Sequence, residues 1–89
     1  MKAEQRTVST DYFEQRIING LAEVLNREPS QVAKEARLVE DLNIDSLDTL
    51  ELIFKLEEEF NIEIPTGDER RFVTVQDVIM YVEQKINEK

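Results

Sequence analysis

The stretch LVEDLNIDSLDTLELIFKLEEEF, from Leu38 to Phe60, decides the fold. Its second part is an unbroken helical pattern that begins at Ser46 or Leu47, with Asp45 or Ser46 as the capping residue, and ends near Phe60. Asn61 is suited to close the helix, and Pro65 prevents its restart. On a helical wheel of about 100° per residue, Leu52, Ile53, Leu56 and Phe60 share one arc, an ordinary core stripe. Leu47, Leu50 and Phe54 fall in a separate arc that begins about 60° further round from Ile53. The helix carries more apolar arc than one core needs. The second stripe either widens the core contact, as most such stripes do, or forms a partly exposed patch rimmed by acids, a protein-docking surface.

Working outward, Thr10 or Asp11 can cap a first helix, with Glu14 completing a capping box after Asp11. Phe13, Ile17, Ile18, Leu21, Val24 and Leu25 follow at helical spacing, and Asn26 stops the run. NREPSQV reads as a turn in which Pro29 blocks continuation and Val32 points inward. A long connection follows, pinned to the core by Leu38 and Leu42. After Pro65, TGDERRF has room for one short helical turn. Thr74 then caps a last helix, with Asp77 three places on and Val75, Val78, Ile79, Val82 and Ile86 on its buried face. The expectation is an all-α fold: a small antiparallel four-helix bundle of three main helices and one short one, with a long first connection. Residues 1–10 form a polar N-terminal extension and residues 11–89 one domain.

The 89 residues allow a single small core, which buries only about two-thirds of the unfolded surface. With no cysteine and no histidine, no disulfide can form and structural zinc is not expected. No apolar run approaches the roughly 20 residues that span a bilayer, and MKAEQRTVST lacks the apolar stretch of a secretory signal. A cytoplasmic location without membrane insertion is the expectation, and a monomer the expected state. The net charge of −9 would repel nucleic acid and anionic lipid. Residues 40–60 carry eight acids and one base, whereas residues 1–39 are balanced. Such a concentration is either a solvated helix face or a surface for basic partners, which it would steer from a distance.

Ser46 is the one serine of this stretch, and its chemistry is narrowly bounded. A serine nucleophile needs an activating base. Here none is at hand: nearby aspartates disfavour an alkoxide, and NIDSLD lacks the flanking glycines of a nucleophile elbow. No catalytic residue is assigned. Asp41, Asn43 and Asp45 imitate the first ligands of an EF-hand loop, but Ser46 stands where the turn needs glycine and Leu52 where a bidentate glutamate belongs. No metal site is assigned either. Three readings of Ser46 remain: an N-cap, a regulatory phosphoserine in an acidic interaction domain, or an attachment point used by another enzyme, where a phosphodiester would meet the positive end of the helix dipole.

VEDLNIDSLDTLELIFKLEEEFNIEIP closely resembles the acyl carrier proteins of fatty acid and polyketide synthesis, through DSLDTLEL and LEEEFNIEIP together. The resemblance extends from about Phe13 through TVQDVIMYV. It implies a four-helix carrier domain, not an enzyme. It also implies that Ser46 receives 4′-phosphopantetheine from coenzyme A through a phosphopantetheinyl transferase and then carries acyl groups as thioesters on the arm's thiol. The implied recognition positions on helix two are Asp45, Leu47, Asp48, Leu50, Glu51, Phe54, Glu57 and Glu58. They would face basic patches on ketosynthase, reductase and acyltransferase partners. Leu52, Leu56, Phe60 and Ile64 are the implied acyl-pocket residues. The sequence departs from many relatives at Asn43, often glycine, at Phe54, often methionine, at Lys55, often small, and at Arg70 and Arg71, where many are acidic. These departures leave open a specialised carrier for a modified lipid, polyketide or other secondary metabolite beside a carrier of fatty acid biosynthesis.

Overall fold

The computed structural model describes residues 10–88. Three helices form the bundle: α1 (Thr10–Leu25), α2 (Ser46–Phe60) and α3 (Val75–Asn87). The connections hold two single 3-10 turns, Pro29–Gln31 and Asp68–Arg71. The second is the short helix expected in TGDERRF. No strand occurs among the described residues, and none of their helices is long and apolar enough to cross a membrane. Of the extension expected over residues 1–10, Thr10 is already in α1; the rest, and the side chains expected to cap α1, lie outside the described residues.

Local chemistry sets the helix limits. Asn26, Asn43 and Asn61 adopt left-handed backbone, with φ of 57°, 57° and 54°, a conformation that asparagine tolerates better than most residues. Asn26 ends α1, where the Arg27 amide donates to the Ala22 carbonyl at 2.8 Å. Asn61 ends α2 in the same way, the Ile62 amide donating to the Glu57 carbonyl at 3.3 Å. Asn43 turns the long connection into α2. At the start of α3, Thr74 and Asp77 form the expected reciprocal capping box.

The core is built from Ile17 and Leu21 of α1, Leu52 of α2, and Val75, Val78, Ile79 and Val82 of α3, all fully buried. Leu38, Leu42 and Val32 anchor the long connection as expected, and Ile44 joins them. A feature without a local sequence signal holds this connection in place. Leu38 donates to the Val73 carbonyl at 2.9 Å, Val75 to Ala36 at 3.1 Å and Gln76 to Lys34 at 3.0 Å. Around an isolated antiparallel bridge between Arg37 and Thr74, the connection is thus clasped to the entry of α3.

Val24, placed on the buried face by its spacing, is only half-buried and lines a groove between α1 and α2. Tyr81, not anticipated in the core, is 3% exposed. Its ring meets Phe72 edge-on at 5.1 Å, and its hydroxyl donates to Asp68 Oδ2 at 2.6 Å. Burial, then the adjacent Asp68 carboxylate, push the Tyr81 phenol well above its ordinary range. The Arg71 guanidinium sits 5.0 Å from the same ring. The basic character of the second 3-10 turn therefore has a local structural use.

Candidate functional site

The entry to α2 resolves which residue caps it. Asp45 is extended, with φ −112° and ψ −173°, and its Oδ1 accepts from the Asp48 amide at 2.8 Å. Asp48 Oδ2 accepts in return from the Asp45 amide at 3.2 Å. Thr49 adds a bond from its hydroxyl to the Asp45 carbonyl at 2.9 Å. Ser46 is therefore the first helical residue rather than the cap. It is exposed, and its hydroxyl makes no hydrogen bond among the described residues. Both neighbouring carboxylates are committed to the cap. Among the described residues, no carboxylate or other base is hydrogen-bonded to Ser46 Oγ.

The same local bonding accounts for the other acid of the EF-hand-like run. Asp41 Oδ2 accepts from the Arg37 amide at 2.8 Å, closing a turn in the long connection. Among the described residues no group of three or more acids is arranged to hold a metal ion.

Past the cap, the two stripes of α2 separate. Leu52 and Leu56 are buried, and Ile53 and Phe60 pack partly against the core. Leu47, Leu50 and Phe54 are 64%, 48% and 60% exposed. They make a contiguous apolar strip leading away from Ser46, and the core does not cover it. Of the acids beside this strip, Glu51 and Glu58 are exposed. Glu57 Oε2 instead accepts from the Ile64 amide at 2.8 Å and fastens the segment after α2 to the helix. Glu59 pairs with Arg16 of α1.

An open cleft of about 540 Å³ begins at Ser46 and runs between α2 and the segment that follows it. Its walls include Thr49, Leu50, Ile53, Phe54, Ile64 and Thr66, with Glu57 and Glu69. Of the four residues expected to line an acyl pocket, Ile64 is in this cleft. Leu52 and Leu56 lie in the packed core, and Phe60 lines a different depression, beside Arg16 and Gly20. Ile53 was missed because its wheel position put it with the core stripe. Thr66 and Glu69 come from the chain beyond α2, and no local pattern brings them to Ser46.

Lys55 is the base among the acids of α2. Its ammonium pairs with Glu23 of α1, and that hydrogen bond and charge hold the Glu23 carboxyl below the usual carboxylate range.

The family described as the phosphopantetheine attachment site matches residues 15–82. The acyl carrier protein of Rickettsia canadensis is 42% identical over 77 residues, which cover 86% of this chain and 90% of that protein. The acyl carrier protein of Rickettsia rickettsii is similar to the same extent. That of Rickettsia typhi is 40% identical over 77 residues, with the same coverage.

Proposed function

The chain belongs to the acyl carrier protein family, and we propose that Ser46 is the residue through which it acts. It is a carrier and not an enzyme: acyl intermediates of fatty acid synthesis travel as thioesters on a phosphopantetheine arm. When attached, the arm supplies the thiol that a chain without cysteine lacks. The observation that carries the assignment to Ser46 is its free hydroxyl. Asp45 has taken the capping role, which leaves Ser46 Oγ exposed and unbonded at the start of α2. A phosphodiester on that oxygen lies at the positive end of the helix dipole. The proton of the hydroxyl must pass to a base on the transferase, since the acids flanking Ser46 are held by backbone amides.

Its partners are a phosphopantetheinyl transferase and enzymes that process acyl groups. The finer reading is that ketosynthase, reductase and acyltransferase partners dock basic patches on Asp45, Leu47, Asp48, Leu50, Glu51, Phe54, Glu57 and Glu58. The exposed strip on α2 supports it, because apolar side chains between acids let charge guide the encounter and apolar contact slow dissociation. Within this set, Asp45 and Asp48 also cap the helix and Glu57 also braces the Ile64 backbone. The cleft beside Ser46 is the site we assign to the acyl chain, with Ile53 and Ile64 as its apolar walls. The protein acts as a cytoplasmic monomer in this reading.

Of the departures that left a specialised carrier open, Lys55 is paired within the bundle and Arg71 lies over Tyr81; Phe54 and Arg70 are exposed and keep that alternative in place.

Incubation with coenzyme A and a phosphopantetheinyl transferase tests the assignment. Intact mass is expected to rise by one phosphopantetheine in the wild type and to stay unchanged in Ser46→Ala. A phosphate-only gain in cells would support the regulatory-phosphoserine reading instead.

A further inference from the structure

Lys55 is the one cation on α2, and it stands between two acids of the exposed strip. Glu51 lies four residues before it and Glu58 three residues after, the spacings at which helical side chains meet. Glutamate four places ahead of lysine is the favoured order for such a pair. Lys55 nevertheless pairs with neither, and its ammonium is on Glu23 of α1. Its stem crosses α1 at Gly20, where an added Cβ would stand 3.2 Å from Lys55 Cδ. A glycine inside a helix costs about 0.5–1 kcal/mol relative to alanine, and at Gly20 it leaves the lysine its path. Glu51 and Glu58 are exposed and have no hydrogen-bond or ion-pair partner among the described residues. Glu23, Val24, Glu51, Phe54, Lys55 and Glu58 together line an open groove of about 520 Å³ between α1 and α2.

From this arrangement we propose that Glu23 is a positioning residue for docking: by holding the Lys55 ammonium against α1, it keeps Glu51 and Glu58 unpaired for a basic partner surface. The inference rests on the reading of α2 as the docking face. Without the Glu23 carboxylate, Lys55 turns to Glu51 or Glu58 on its own helix and neutralises one of the two free charges. The partner then meets a weaker field, which slows encounter more than it speeds release.

Carboxyl titrations of Glu51 and Glu58 by NMR in the full chain test the positioning without any partner. Wild type, Glu23→Gln, Lys55→Gln and the double variant are compared. Removing Glu23 takes away a nearby negative charge in either background. Only where Lys55 is present can it also hand a cation to Glu51 or Glu58. Glu23→Gln is therefore expected to lower one of these midpoints further in the wild-type background than in the Lys55→Gln background. Equal shifts in the two backgrounds overturn the proposal.

The docking consequence is read from phosphopantetheine transfer by a broad-specificity transferase at low salt. Glu23→Gln is expected to reduce kcat/KM several-fold with little change in kcat, and Lys55→Gln in that chain is expected to restore it. A Glu23→Gln chain modified as efficiently as wild type overturns the proposal. If Glu51→Lys is equally without effect, the docking reading of α2 has failed as well. If Glu51→Lys does slow transfer, only the role of Glu23 has failed.

Discussion

α2 and α3 begin in the same way, each through a reciprocal capping box, Asp45 with Asp48 and Thr74 with Asp77. They differ in what they do with their apolar residues. α3 buries Val75, Val78, Ile79, Tyr81 and Val82 and leaves Met80 outside. α2, slightly longer, buries Leu52 and Leu56 and leaves Leu47, Leu50 and Phe54 outside. The bundle core accounts for almost all of the apolar surface of α3 and for only one side of α2. Scattered exposed apolar residues need no explanation, but a strip beginning beside a free serine hydroxyl and flanked by unpaired acids does. Packing explains α3, and it leaves uncovered the second face of α2, the surface we propose for docking.

The largest test of that contrast is truncation on the two faces of α2. Leu52→Ala is expected to cost about 2–5 kcal/mol in chemical denaturation, because it leaves a cavity in a fully buried position. Leu47→Ala and Phe54→Ala are expected to stay within about 0.5 kcal/mol. If Phe54→Ala costs as much as Leu52→Ala, the second stripe belongs to the core and the contrast with α3 disappears.

The caps sharpen it next. Thr74→Ala and Asp45→Ala should each cost about 1 kcal/mol by the same measurement. Only Asp45→Ala should also slow phosphopantetheine transfer, since its carboxylate both caps α2 and stands beside Ser46.

Tyr81→Phe probes the α3 side. Loss of its hydrogen bond to Asp68 is expected to cost about 1 kcal/mol at neutral pH. The folded chain raises the Tyr81 ionisation above its unfolded value. The linked stability is therefore fully present below about pH 10, where an unfolded tyrosine ionises. It is lost as pH rises from there towards the raised folded value. The alkaline fall in a denaturation series should be shallower in Tyr81→Phe than in wild type.

The smallest effects on stability are expected on the docking face, where the change should appear in kinetics. Charge reversal at Glu51 should weaken transferase binding through the on-rate and mostly at low salt. Leu47→Ala should instead speed dissociation. Unchanged modification in all of these variants would remove the functional reading of the strip.

The legible parts of this protein are those governed by neighbours in sequence. Helical spacing located the three helices, Thr74 with Asp77 announced α3, and asparagine marked the ends of α1 and α2. Ser46 stood out as a lone serine among acids. Whether Asp45 or Ser46 was the cap turned on which side chain reached the Asp48 amide, a matter of geometry rather than residue type. The clasp between residues 34–38 and 73–76 joins backbone segments far apart in the chain, and no side-chain pattern encodes it. The fate of Lys55 depended on Glu23 and on a bare backbone at Gly20, both on another helix. A glycine in the middle of α1 was the one available signal. The wheel separated the two faces of α2 correctly, but it could not show which residues from beyond α2 would face Ser46.

The most direct measurement of the central claim is the location of the arm. After modification of the wild-type chain with coenzyme A and a phosphopantetheinyl transferase, trypsin should release a peptide of residues 38–55, which contains Ser46 and Thr49 as its only hydroxyl side chains. Fragmentation mass spectrometry is expected to place one phosphopantetheine on Ser46. An unmodified peptide after treatment with several transferases, or an arm on Thr49, would contradict the account.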